Sequence, residues 1–233
     1  MTDSIRGSEE PNRTSSVVYG TDKNFWPQVY VSLYSLLRSN PGRRWRAFII
    51  CDRPDRTFRA RVKRLRSFGN LAEITLIPIS DLGVDLSTAP LQHHLTTATY
   101  FRLLVGKALP TDVRRVLYLD SDTVVNQPID ALVDADLGGR LLAAVENHSE
   151  PRQNRMRLGL PDDVSYFNAG VLLIDLEKWR RIGADDQLFA FIKANPERLD
   201  WADQDALNSL FHRDWAPFGQ EFNYQTVGRA ESP

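Results

Sequence analysis

A chain of 233 residues that is 42% hydrophobic and 25% charged, with a formal net charge of −1, has the proportions of an ordinary globular protein and no global attraction for nucleic acid. At roughly 100–200 residues per domain, the length reads as one large domain. Cys51 is the only cysteine, which rules out an intrachain disulfide and cysteine-cluster zinc and fits a reducing, cytoplasmic compartment.

Residues 1–15 (MTDSIRGSEEPNRTS) are polar, lack the apolar core of a secretory signal and read as a disordered leader. Asn12-Arg-Thr and Asn147-His-Ser match a glycosylation sequon but, with no secretory route, read as chance. Residues 17–20 form the first expected strand, and Trp26-Pro27 opens a helical pattern that Asn40-Pro41-Gly42 stops. A second strand is expected over 47–51. Over 55–68, Phe58, Val62 and Leu65 share one helical stripe while arginines and Lys63 cover the rest. That segment reads as a helix with a solvated basic face, contact with anionic lipid being the alternative.

A strand over 74–79 precedes a long loop over 80–95, and 96–109 reads as a helix. Strands follow over 116–119, 141–145 and 167–174, with a basic irregular connection over 152–160. The span 176–212 is mostly helical, broken at Asn195-Pro196. No stretch approaches the roughly 18 apolar residues of a membrane span. Strands alternating with helices imply an α/β fold on a largely parallel sheet, whose ligands bind beyond the carboxyl ends of the strands.

The chemistry concentrates in VLYLDSDTVV, where an apolar strand delivers Asp120 and Asp122 at its carboxyl end. Side chains two apart in extended chain share a face, so both carboxylates can converge. Adjacent carboxylates suit a hard cation such as Mg2+ or Mn2+, which also bridges phosphate oxygens. Spacing alone is weak, because Asp134-Ala-Asp136 and Asp203-Gln-Asp205 share it. Thr21-Asp22-Lys23-Asn24 sits between the first strand and a helix, where Asp22 or Asn24 could read a base edge or simply cap the helix. Neither the dinucleotide fingerprint nor the P-loop pattern is present.

In sequence order, TDKNF (21–25), TTATYFRLL (96–104), VLYLDSDTVV (116–125), YFNAGVLLIDLEKWR (166–180) and DQDALN (203–208) closely resemble family eight of the glycosyltransferases. These are retaining enzymes of the GT-A fold, among them bacterial lipopolysaccharide galactosyl- and glucosyltransferases and glycogenin. The resemblance implies a GT-A fold, a central mostly parallel mixed sheet flanked by helices, over residues 16–233. It implies a retaining hexosyltransferase that takes sugar from a UDP-hexose donor to a glycan, glycolipid or glycoprotein acceptor. Position by position, it makes Asp120 and Asp122 the ligands of Mn2+ or Mg2+, with Asp120 also on the ribose. Gly20, Asp22 and Asn24 become the uridine-binding turn, and Arg102 the contact to donor sugar and phosphate. Asn168 and Asp203 would hold sugar hydroxyls, and Gln204 would lie beside the anomeric carbon. Glu146, Asp203 and Asp205 are the carboxylates expected to orient an acceptor hydroxyl.

Relatives carry a further C-terminal segment with a histidine for the metal and a glycine and lysine for the diphosphate, and this sequence ends before a match to it. His212 matches no metal position, and His93 and His94 fall in the loop expected near the acceptor. The resemblance therefore leaves two readings open: a transferase, or a nucleotide-sugar-binding chain that does not turn its donor over. It also implies peripheral contact with the inner face of a membrane as an extension of the cytoplasmic assignment.

Overall fold

The computed structural model of the chain describes residues 13–84, 86, 96–148 and 150–224. In chain order these build β1 (Thr14–Thr21), α1 (Trp26–Ser39), β2 (Arg44–Cys51), α2 (Arg56–Arg64), β3 (Leu71–Pro78), a 3-10 helix (Thr97–Leu104) and α3 (Val105–Ala108). They continue with β4 (Arg115–Leu119), α4 (Asp130–Val133), β5 (Leu142–Glu146), α5 (Arg152–Arg157), β6 (Phe167–Asp175), α6 (Leu176–Arg181), α7 (Ala184–Ala194), α8 (Ala202–Phe211) and β7 (Trp215–Phe218). The strands form one seven-stranded sheet in the order β3-β2-β1-β4-β6-β5-β7. Neighbours pair in parallel except around β6, which runs antiparallel to both β4 and β5.

Strand alternation sorts the core onto the two faces of the sheet. Val17, Tyr19, Ile49, Leu117 and Leu119 pack under α1 and α2 with Leu33, Leu36, Phe58 and Val62. Val18, Phe48, Ile50, Val116 and Tyr118 face the other way, against Tyr100, Phe101, Trp179, Leu188 and Leu207 from the 3-10 helix, α6, α7 and α8. α1 starts with Pro27 in its first turn, where a missing N–H costs nothing, and Asn40 closes it by donating to the Leu36 carbonyl at 2.9 Å. Asp55 caps α2, accepting from the Phe58 amide at 2.7 Å.

The first strand begins at Thr14, inside the expected leader, and residues 1–12 lie outside the described residues, as do His93 and His94. All six expected strands form; β7 was not anticipated because WAPF is short, contains a proline and sits at the sheet edge, where only pairing with β5 defines it. Residues 152–157 are helical rather than irregular. The expected helix over 96–109 is wound as 3-10 for its first eight residues, Thr97–Leu104, and only α3 is α-helical. Among the described residues no helix is long and apolar enough to cross a membrane.

Candidate functional site

The carboxyl ends of β1 and β4 lie side by side because the two strands are parallel neighbours. There they border a cavity of about 230 Å3 lined by Gly20, Thr21, Asp22, Phe25, Thr96, Thr99, Arg102, Tyr118, Asp120, Ser121 and Asp122, with the Ala98 backbone between. The chain turns as it leaves β4: the Thr123 amide donates to the Asp120 carbonyl at 3.1 Å, and buried Ser121 donates to the Gly20 carbonyl at 2.9 Å, pinning the turn to β1. Asp120 and Asp122 thus reach one cavity by a turn rather than by continued strand alternation. Across from them, Asp22 accepts from the Asn24 amide at 2.8 Å. Gly20 must be glycine, since a Cβ would stand 2.9 Å from the Phe101 Cβ.

Arg102 organises the floor. Its Nη2 lies 2.9 Å from Asp120 Oδ1, its Nη1 donates to the Ala169 carbonyl at 2.6 Å, and its guanidinium sits 4.8 Å over the Tyr118 ring. Nε is 2.5 Å from Asp203 Oδ2, an ion pair without the alignment of a hydrogen bond. Three residues per turn eclipse positions i and i+3, so the 3-10 winding sets Thr99 beside Arg102, and Thr99 donates to Asp203 Oδ1 at 2.5 Å.

Burial by itself would lower the Arg102 pKa, but Asp120 and Asp203 outweigh it and raise it, so the cation is permanent. Asp203 is raised above the usual carboxylate value by burial, opposed by Arg102 and Thr99. Burial likewise holds the Tyr118 hydroxyl neutral, keeping it a donor to Asp120 Oδ1 at 2.8 Å.

A β-bulge completes the site. β5 pairs Ala144 with Leu172 and then Val145 with Asn168, leaving residues 169–171 without partners on that side. Backbone groups of Ala169 and Gly170 find partners nearby. Ala169 N donates to Gln204 Oε1 at 2.9 Å and Gly170 N to Asn168 Oδ1 at 2.7 Å, while the Gly170 carbonyl accepts from Asp120 N at 2.8 Å. Asn208 clamps Phe167 at both N and O, 2.8 and 2.9 Å. Four residues of helix rise about 6 Å and two of strand about 6.6 Å, which lets Gln204 and Asn208 of α8 address alternate residues of β6.

Of the residues singled out from sequence, Gly20, Asp22, Arg102, Asp120 and Asp122 share the cavity. Asp203 stands one contact behind it, through Arg102, and Asn168 lies further back, bonded to Gly170 N beside Asp120. Asn24 is exposed and, among the described residues, held through its backbone amide. Gln204 has both ends of its amide committed, Oε1 to Ala169 and Nε2 to the Tyr166 hydroxyl at 3.0 Å. Asp205 is fully buried and spent on the amides of Asp200 and Trp201 and on Tyr166, so it is no acceptor base. Glu146 ends β5 3.6 Å from His148 and does not line the cavity. His212 contacts the Ser209 carbonyl, away from the site. Sequence reasoning missed Tyr118, Thr99, Ser121, Gly170 and Asn223; only Tyr118 carried a signal, being two residues before Asp120 at the end of an apolar run.

The donor set fits a hard cation. Asp120 Oδ1 is taken by Arg102 and Tyr118, whereas Oδ2 has no hydrogen-bond partner among the described residues and faces Gly170, where a Cβ would come within 3.0 Å. Asp122 is exposed and forms no ion pair or hydrogen bond among the described residues. Two oxygen donors at one cavity rim are therefore free, although no group of three or more acidic, histidine or cysteine side chains forms a closed cage among the described residues.

Comparison with known proteins places these features. The sequence model described as Glycosyl transferase family 8 matches residues 16–233. General stress protein A of Bacillus subtilis is 32% identical over 165 residues, 67% of this chain and 57% of that protein. Lipopolysaccharide 1,2-glucosyltransferase of Escherichia coli is 31% identical over 198 residues, 84% of this chain and 57% of that protein. The crystal structure of galactosyltransferase LgtC with donor and acceptor sugar analogs superposes with a TM-score of 0.80 at 28% identity, covering 88% of this chain and 73% of that one. The chain spans under three-fifths of the length of these two curated relatives.

Proposed function

The chain belongs to glycosyl transferase family 8 and has its GT-A fold, and from that premise we propose that it is a retaining transferase that moves a hexose from a UDP-sugar to a carbohydrate or glycolipid acceptor. One observation carries the reading: Asp120, Asp122, Arg102 and the Gly20–Asp22 turn meet in a single cavity at the carboxyl end of the sheet. Residues 16–233 are the donor-binding unit. Relatives named as lipopolysaccharide glucosyl- and galactosyltransferases support the hexose and the glycolipid class.

Asp120 Oδ2 and Asp122 would hold Mn2+ or Mg2+, which when bound supplies charge neutralisation at a diphosphate leaving group. The turn from Gly20 through Asp22 to Asn24 receives the base, its backbone brought close because residue 20 has no side chain. Arg102 offers a fixed guanidinium to donor phosphate or sugar, held in place by Asp120, Asp203 and the Tyr118 ring. Asn168 and Asp203 support the donor from behind the cavity, Asp203 through Arg102 and Thr99, and Gln204 fixes the backbone of the bulge. Among the described residues the Gln204 amide meets only Ala169 N and the neutral Tyr166 hydroxyl, neither a strong nucleophile, which favours departure and attack on one face of the sugar over double displacement.

Calorimetry with UDP, with and without Mn2+, tests the donor site: metal-dependent binding abolished by Asp122→Ala is expected, and unchanged affinity in that variant removes the metal assignment. Hydrolysis of a panel of UDP-sugars then tests transfer chemistry. Tight metal-dependent UDP binding with no turnover of any donor would assign the chain as a nucleotide-sugar binder instead.

A further inference from the structure

We propose that the outward face of α2, together with the α1 edge beside it, is a docking surface for an anionic lipid bilayer. The segment from Arg53 to Arg66 contains Arg53, Arg56, Arg59, Arg61, Lys63, Arg64 and Arg66, all exposed. Phe58, Val62 and Leu65 point into the core, so helical periodicity fans the cations over the whole outward arc. Between Arg56 and Arg66 every other exposed position is Thr57 or Ala60, and none is acidic. The two nearby acids are spent on backbone: Asp55 caps α2, and Asp52 accepts from the Lys23 amide at 3.3 Å.

Three exposed arginines elsewhere in the fold pair with carboxylates, Arg13 with Asp134, Arg152 with Asp162 and Arg213 with Asp163, while single exposed arginines such as Arg44 and Arg181 do not among the described residues. Among the described residues none of the seven cations on this segment forms an ion pair.

The neighbouring edge decides the kind of partner. Trp26 stacks on Phe58 at 4.6 Å and Tyr34 meets Phe68 edge-on at 5.2 Å, fastening α1 against the basic segment. On the same side of α1, one turn apart, Val31 is 50% and Tyr34 36% exposed. Cations bordered by an exposed aliphatic side chain and a tyrosine match the headgroup and upper acyl layer of a bilayer. An acidic protein or a nucleic acid would use the cations but gain little from Val31.

Flotation with vesicles of about 70% phosphatidylcholine and about 30% phosphatidylglycerol tests this, with neutral phosphatidylcholine vesicles as control. The protein is expected to float with the anionic vesicles at about 0.1 M salt and to be released at about 0.5 M. Arg56→Gln/Lys63→Gln/Arg66→Gln, three exposed side chains that form no ion pair among the described residues, should weaken binding on the order of a hundredfold. Val31→Asp should weaken it further. No flotation of the wild-type chain, or full flotation of the triple variant, overturns the proposal. So does a single-stranded RNA or heparin that binds this face more tightly than the vesicles. UDP binding measured on the same triple variant should equal wild type, so that this proposal and the donor-site reading stand or fall separately.

Discussion

Gly170→Ala places a methyl group in the middle of the candidate site. The new Cβ would stand 2.9 Å from Asn168 Oδ1, 3.0 Å from Asp120 Oδ2 and 3.6 Å from Asn223 Nδ2. No backbone atom is that close, and Gly170 does not have the positive φ that demands glycine, so the fold itself tolerates the change. What must move are side-chain ends, and these are the groups assigned to the donor. Asn168 Oδ1 cannot retreat without lengthening its bonds from Gly170 N and Asn223 Nδ2, both 2.7 Å, at about 0.5–1.5 kcal/mol each. Asp120 is held at Oδ1 by Arg102 and Tyr118, so only its free oxygen can give way. Overpacking costs about 1–3 kcal/mol, and because it falls on Oδ2 it should appear as a loss of roughly 5- to 150-fold in Mn2+-dependent UDP affinity. Thermal unfolding of the free protein should shift little by comparison. The assay is calorimetry against UDP at saturating Mn2+, beside a melting curve. Affinity within a factor of about two of wild type would refute the placement of Asp120 Oδ2 at the donor; a large fall in melting temperature with unchanged affinity would refute the claim that function rather than fold absorbs the methyl.

Gly20→Ala puts the clash on backbone-tethered atoms, Phe101 Cβ at 2.9 Å and the Ala98 carbonyl at 3.4 Å, so it should cost about 1–3 kcal/mol of stability in denaturant titration as well as UDP affinity. Tyr118→Phe keeps the ring under Arg102 but deletes the donor to Asp120; UDP affinity with Mn2+ should fall about 3- to 30-fold with the fold intact, and an unchanged value would make the hydroxyl idle. Asp185 is 4% exposed and accepts from Gly106 N at 3.2 Å, and burial raises its pKa above the ordinary 3.8. The folded state therefore holds its proton more tightly than the unfolded chain, so this group's contribution makes stability fall as pH rises past 3.8 toward the folded value. Asp185→Asn should flatten that part of the stability–pH curve, and an identical slope in both proteins would contradict the assignment.

The sequence by itself determined the elements whose cause is local. Apolar runs such as AFIIC and VLYL bury on both faces of a sheet wherever they pair, the Trp26-Pro27 start and Asn40-Pro41-Gly42 stop bound α1, and the strand-end pair Asp120 and Asp122 marks where a ligand belongs. The motif order also identified the family, because several short patterns in one order constrain a chain far more than any spacing does. Only the tertiary structure decided how those motifs meet. Whether β6 runs antiparallel depends on its neighbours, and that reversal is what carries the end of YFNAG to the end of VLYL and sets Gly170 against Asp120. The 3-10 winding of Thr97–Leu104, which aims Thr99 and Arg102 together at Asp203, has no propensity signature and is fixed by packing on β1. Likewise the roles of Gln204 and Asp205 follow from long-range bonds to a bulge and a helix start that neither residue's neighbours in sequence announce. Local chemistry is written in adjacent residues, whereas the placement of one charge against another is an outcome of the whole sheet.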